Sequence, residues 1–90
     1  MTATRQFTVE SANGFHLRPI SLLVELSNRF NSDITVSKDG IQVGARSVME
    51  LLLLGAQQGD MLEITAIGED SLEALNAIEE FFAGLAENDE

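Results

Sequence analysis

The sequence predicts a small α+β domain in which a four-stranded antiparallel sheet carries three helices on one face. Four segments alternate apolar and polar residues with a period of two, and three have the apolar spacing of helices. They follow one another in the order β-α-β-β-α-β-α, and the short connection between the middle strands favours antiparallel pairing. Since 90 residues suffice for one core, we expect residues 1–90 to form a single domain.

The first strand and the first helix are predicted on either side of a break at residues 11–14. In the segment Gln6 to Glu10, Phe7 and Val9 alternate with polar residues, which is a strand pattern. From Leu17 to Phe30 the polar residues share an arc of about 100° on a helical projection. The remaining apolar surface is wide, which indicates a deeply seated helix or, as the alternative, a face shared with a partner.

The middle of the chain predicts a β-hairpin. The segment Asp33 to Lys38 alternates, and a shorter run containing Ile41 and Val43 does the same. Asp39-Gly40 lies between them and supplies the two positive-φ residues that a type I′ turn requires.

The second half predicts a short helix, a fourth strand and a long last helix. Ser47 and Glu50 have the spacing of a capping box at the start of the short helix, and Gly55 is placed to end it. Met61 to Ile67 alternates as a strand, and residues 86–90 are expected to be a frayed acidic tail. The predicted buried stripe of the last helix, which starts at residues 70–73, consists of Leu72, Leu75, Ile78, Phe82 and Leu85.

Composition and charge argue against several classes of protein. There is no cysteine, and a lone histidine without clustered carboxylates lacks a metal ligand set, so no metal and no cofactor are expected. The longest apolar run, Leu51 to Leu54, is too short to span a membrane, and the first residues lack a signal-peptide core. The net charge of −10, carried by residues 46–90, argues against nucleic acid. A cytoplasmic monomer is the expectation.

His16 is the only histidine, and it lies where the first helix is predicted to begin. Asn13-Gly14 signals a turn before it, and Pro19 suits the first turn of the helix after it. Backbone N–H groups without helical acceptors and the positive end of the helix dipole favour an anion there. A neutral imidazole beside such a site is a competent nucleophile toward a phosphoryl group.

Two segments resemble the signatures of one family. Gly14-Phe15-His16-Leu17-Arg18-Pro19 resembles the active-site segment of HPr, the histidine-containing phosphocarrier of the bacterial sugar phosphotransferase system. Arg46-Ser47-Val48-Met49, with Leu51, Leu54 and Gly55, resembles the regulatory-serine segment of that family. The spacing of 31 residues between His16 and Ser47 agrees with the family, as do chain length and element order. The resemblance covers residues 4 to 86 and implies an open-faced β-sandwich.

The resemblance implies a covalent relay and not an enzyme with turnover of its own. His16 would accept a phosphoryl group on Nδ1 from phosphorylated enzyme I, which takes it from phosphoenolpyruvate, and would pass it to an enzyme II A-type domain. Arg18 would neutralise the transferring phosphoryl group. Asn13 would hydrogen-bond the imidazole ring or the phosphate, Leu17 would support the phosphate with its N–H, and Pro19 would support it by fixing the first turn.

Ser47 has two possible roles. As an N-cap it accounts for its own presence, whereas in some members of the family the matching serine is phosphorylated by a dedicated kinase, and a phosphorylase is a further possible partner. The resemblance also implies docking of partners by exposed apolar residues beside the histidine. We expect Leu17, Ile20, Val48, Met49 and Leu52, with Leu53 as the alternative to Leu52.

The site departs from the family pattern in bulk and in charge. Phe15, Leu17 and Ile20 are larger than the usual residues, and the cations near the site are reduced chiefly to Arg18 and Arg46. Association with an acidic enzyme I is therefore expected to be slower and weaker. Two alternatives stay open: a regulatory carrier of the nitrogen-related branch, and a binding module on the same scaffold that is not phosphorylated.

Overall fold

The structure, a computed structural model, describes the backbone of residues 1–88 and the side chains of residues 1–85. Its seven elements follow the predicted order, and among these residues no helix is both long and apolar enough to cross a membrane. The elements are β1 (Thr2–Thr8), α1 (Leu17–Ser27), β2 (Asp33–Lys38), β3 (Ile41–Gly44), α2 (Val48–Leu53), β4 (Met61–Ile67) and α3 (Ser71–Asn88).

The four strands form one antiparallel sheet in the order β1-β4-β2-β3, so β4 and β2 lie in the middle. Because successive side chains of a strand point to opposite faces, Ile34 and Ile64 share one face, and both are buried in a core to which all three helices contribute. The other face is mostly polar, with Met61 and Ile67 exposed at the two ends of β4, and the hydroxyls of Thr4 and Thr65 lie 3.0 Å apart across it. The predicted fold class is confirmed.

The hairpin between β2 and β3 has the turn that the sequence predicts. Asp39 has a φ of 52° and Gly40 a φ of 84°, the two left-handed residues of this turn type. Pairing of Val36 with Val43 follows directly from this two-residue connection.

The predicted bounds of β1 and of α1 were wrong. β1 begins four residues earlier than expected and ends at Thr8, because its whole length, from Thr2, pairs with β4. This pairing stabilises a threonine-rich segment whose own alternation is weak. α1 ends at Ser27, since the N–H groups of Arg29 and Phe30 donate to carbonyls three residues back, as in a tight turn.

The last helix also differs from its prediction. Leu72 is 46% exposed, because it lies about 100° around α3 from the buried arc centred on Leu75, Ile78 and Phe82. The helix continues through Asn88, so the backbone of residues 86–88 is helical where a frayed tail was predicted. Residues 89 and 90 of that tail lie outside the described residues.

Candidate functional site

His16 is the N-cap of α1. Its backbone is extended, with φ −97° and ψ −174°, and its carbonyl accepts the first helical hydrogen bond from the N–H of Ile20 at 3.0 Å. The N–H groups of Leu17 and Arg18 therefore lie in the first turn, where the helix supplies no acceptor. The imidazole is placed next to the positive end of α1, as the sequence predicts.

The segment before His16 is anchored in the core. Phe15 is only 5% exposed, its ring centroid lies 5.9 Å from that of Phe82, and its N–H donates to the carbonyl of Ala56 at 3.0 Å. Gly14 has a φ of +75°, and a Cβ there would come within 3.0 Å of the same carbonyl. The bulk of Phe15 is thus a core anchor, which fixes the start of α1 and adds nothing to the exposed rim.

One ring nitrogen of His16 is buried. Nε2 is buried, whereas the residue as a whole is neither fully buried nor fully exposed. Asn13 lies three residues earlier in an exposed loop and lines a shallow crevice together with Gln57 and Gln58.

Arg18 occupies the second position of α1, and its side chain is exposed. It lines a cleft of about 320 Å³ between α1 and α3 together with Glu80 and Phe81. Within residues 1–85 no carboxylate forms an ion pair with this guanidinium, whereas Arg5 pairs with Glu79 at 3.1 Å. Pro19, the next residue, is buried and fixes the backbone of that turn.

Arg46, expected to be a cation of the site, lies at the other end of α1. Its guanidinium donates to the carbonyls of Phe30 at 2.9 Å and Ser32 at 3.2 Å. His16 is the N-cap at the opposite end of the helix. The eleven residues of α1 separate the two ends by about 16 Å. The expectation was wrong, because these carbonyls follow the last turn of α1 and hold the guanidinium in place there.

Ser47 caps α2 as predicted, but the capping box is incomplete. Its Oγ accepts from the N–H of Glu50 at 3.2 Å. The Glu50 carboxylate does not reach back to the cap; it accepts from the N–H of Gly44 in β3 at 3.1 Å. Gly55 has a φ of +59°, which confirms that a left-handed residue ends this segment.

The residues predicted to dock partners are divided between the surface and the core. Leu17, Met49 and Leu52 are exposed, whereas Val48 is half-buried against the core. Ile20 is 0% exposed, so its prediction as a docking residue was wrong. It lies on the face of α1 that packs on the sheet side of the domain, and no partner reaches it without opening the core.

The structure adds Leu53 to the exposed set. This residue is 77% exposed, more than Leu52, for which it was only the alternative. The signal was present in the sequence, since Leu53 and Met49 are four residues apart and share one face of a helix.

Comparison with known proteins gives matches over nearly the whole chain. The family model described as "PTS HPr component phosphorylation site" matches residues 3–84. The phosphocarrier protein HPr of Treponema pallidum is 41% identical over 69 residues, 77% of this chain and 78% of that protein. The crystal structure of HPr-C-His from Thermoanaerobacter tengcongensis has a TM-score of 0.91 and 30% identity, covering 98% of this chain and 99% of that one.

The fold and the histidine-capped helix define a histidine-containing, open-faced α+β domain. With the family match over residues 3–84, the chain belongs to the HPr family. It is also 41% identical over 86 residues to the multiphosphoryl transfer protein of Salmonella typhimurium, which is 91% of this chain but only 23% of that protein.

Proposed function

We propose that this chain is a phosphocarrier of the phosphotransferase system, in which His16 holds a phosphoryl group between two enzymes. The observation that supports this best is the placement of His16: this half-buried residue is the N-cap of α1 through its backbone, and its ring Nε2 is buried. The lone pair of Nδ1 attacks phosphorus while the bond from phosphorus to the donor group of phosphorylated enzyme I breaks. The phosphoryl group, originally from phosphoenolpyruvate, then passes to an enzyme II A-type domain.

The start of α1 supplies the electrostatic support for this transfer. The N–H groups of Leu17 and Arg18 and the helix dipole favour negative charge on the equatorial oxygens, and the Arg18 guanidinium neutralises it further. Pro19 keeps the first turn of α1 in its helical geometry. Asn13, in the loop before α1, donates a side-chain hydrogen bond to the imidazole ring or to the phosphate. The chain works as a cytoplasmic monomer, is a relay and not an enzyme, and needs no cofactor.

The test is phosphorylation by enzyme I from the same organism with radiolabelled phosphoenolpyruvate. Wild-type chain should acquire one acid-labile phosphate, and His16→Ala should acquire none. Met61→Ala is the matched control, because Met61 is exposed on the opposite face of the sheet and its loss leaves the site intact. Labelled His16→Ala would exclude His16 as the acceptor.

The output of the relay has an alternative in the nitrogen-related branch, where the carrier regulates other proteins. The net charge of −10 and the leucines of α2 are compatible with it. Transfer assays with paralogous enzymes I separate the branches, since only the matching enzyme should phosphorylate His16 efficiently. If intact-mass measurement shows no gain of one phosphate with either enzyme, the chain is a binding module that is not phosphorylated.

A further inference from the structure

The segment that leads to His16 is held at both ends by the loop that follows α2. At its start, the N–H of Val9 donates to the carbonyl of Asp60 at 2.9 Å. At its end, the N–H of Phe15, the residue before the histidine, donates to the carbonyl of Ala56 at 3.0 Å. The shape of this loop therefore determines where the imidazole lies relative to the sheet.

The hydrogen bond from Phe15 ends on a peptide unit whose other side is held by Asp60. The carbonyl of Ala56 and the N–H of Gln57 belong to this one planar unit, so they point in opposite directions and turn together. Oδ2 of Asp60 accepts from the N–H of Gln57 at 2.8 Å, and the N–H of Asp60 donates to the carbonyl of Gln57 at 3.0 Å. The Asp60 carboxylate thus fixes the orientation of the carbonyl that accepts from Phe15.

The core anchor of Phe15 does not by itself fix the backbone next to His16. Its ring packs on Phe82, but Gly14 before it has a φ of +75° and no side chain. Because no Cβ restricts the dihedral angles of Gly14, the ring can stay in the core while the peptide between Gly14 and Phe15 turns. The hydrogen bond to Ala56 opposes this rotation.

We propose that Asp60 is a positioning residue, whose carboxylate holds the Phe15 N–H, and with it the imidazole of His16, in place for phosphoryl transfer. It acts through the peptide unit between Ala56 and Gln57. This inference rests on the proposed function and adds a residue to its site. Misplacement of a reacting atom by about 1 Å can lower a rate about a hundredfold, so a loop contact away from the histidine affects the chemistry.

Four variants separate the hydrogen bond to Gln57 from the charge of Asp60, whose Oδ2 also lies 3.7 Å from Lys38 Nζ. Asp60→Ala removes both contacts, and Asp60→Asn keeps an oxygen acceptor without the charge. Asp60→Glu keeps the charge but places the carboxylate one methylene further from the backbone. Lys38→Gln removes the ion pair and leaves the hydrogen bond. Since the Asp60 side chain is 38% exposed, none of its substitutions opens a cavity in the core.

The first measurement is amide hydrogen exchange of the unphosphorylated chain by NMR. The N–H of Ile64, in the middle of the sheet, serves as the reference for global unfolding. Relative to this reference, the N–H of Phe15 should exchange about tenfold faster or more in Asp60→Ala and Asp60→Glu than in wild-type chain. In Asp60→Asn and Lys38→Gln it should stay within about twofold of wild type.

The second measurement is steady-state phosphorylation by enzyme I from the same organism, with the chain as the varied substrate. In Asp60→Ala and Asp60→Glu kcat should fall about fivefold or more, because the imidazole is misplaced. KM should stay within about twofold, since the substitution changes the chemical step and not the docking of the two proteins. Asp60→Asn and Lys38→Gln should behave as wild-type chain in both parameters.

Unchanged exchange of the Phe15 N–H in Asp60→Ala would overturn the proposal. So would a normal Asp60→Glu together with an impaired Asp60→Asn, or a loss of kcat in Lys38→Gln equal to that in Asp60→Ala, because charge and not the acceptor would then matter. Faster exchange with unaltered kcat refutes the positioning role alone. If exchange responds as expected but wild-type chain takes up no phosphate, the proposed function is contradicted, while the contact of Asp60 with the segment is supported.

Discussion

A single hydroxyl holds the start of α2. Ser47 Oγ accepts from the N–H of Glu50, one of the first-turn donors that have no helical acceptor. This contact explains why a serine stands here without reference to any kinase. A phosphate on the same oxygen would carry about −1.5 to −2 charge, so phosphorylation of Ser47, which we propose as a regulatory event, would act against an existing contact.

Removal of the cap should therefore lower stability whether or not Ser47 is phosphorylated. Ser47→Ala is expected to lower the free energy of unfolding by roughly 0.5–2 kcal/mol, measured by urea denaturation of the unphosphorylated chain. Ser47→Asp keeps a side-chain acceptor at the cap and should restore most of the loss. Equal stability of the alanine variant and wild-type chain would show that the Ser47–Glu50 contact contributes nothing.

At the level of elements, Asp70 connects the start of α3 to the turn between α1 and β2. Its Oδ2 accepts from the N–H of Asn31 at 2.8 Å, and its Oδ1 accepts from both the N–H and the hydroxyl of Ser32. The hydrogen bonds from Ser32, followed by that from Asn31, lower the pKa of the Asp70 carboxyl from its ordinary value. The ionised form is therefore favoured in the folded chain.

This connection gives a pH dependence with a definite sign. Because the folded pKa is lowered, the contribution of Asp70 is fully present above the unfolded pKa of about 3.8 and is lost as pH falls through the folded pKa. Asp70→Asn should be less stable than wild type at neutral pH, and the difference should shrink below about pH 4 in urea titrations. Asp33→Asn, the same change at an exposed position, controls for net charge. A difference that stays constant with pH would contradict the assignment.

The elements differ in how far the sequence determines them. Strong local signals fixed the hairpin at Asp39-Gly40 and the helix start at His16, because turn and cap chemistry acts over a few residues. The bounds of β1 and the position of Arg46 depend on residues 14 or more positions away along the chain, and no local pattern reports such contacts. The same holds for Ile20, whose burial is decided by packing of α1 on the sheet and not by its place beside the histidine.

On the scale of the whole molecule, charge is separated along the chain. Residues 1–45, which include His16, carry no net charge, whereas residues 46–90 carry the entire net charge of −10. In the described structure three acidic side chains, Asp39, Asp60 and Glu79, form ion pairs with cations, and these pairs are partly exposed. Exposed pairs stabilise a fold only weakly, so repulsion among the remaining carboxylates outweighs them.

Screening of this repulsion should stabilise the fold. The midpoint of thermal unfolding is expected to rise as NaCl increases from about 20 to 300 mM at neutral pH, over which the Debye length falls below about 10 Å. A variant with Glu69, Glu73 and Glu80 changed to glutamine should unfold at a higher temperature at low salt and should respond less to NaCl, because these exposed carboxylates contribute to the repulsion. If the midpoint falls with salt, or if the variant responds as strongly as wild-type chain, attractive ion pairs and not repulsion dominate the electrostatics of this domain.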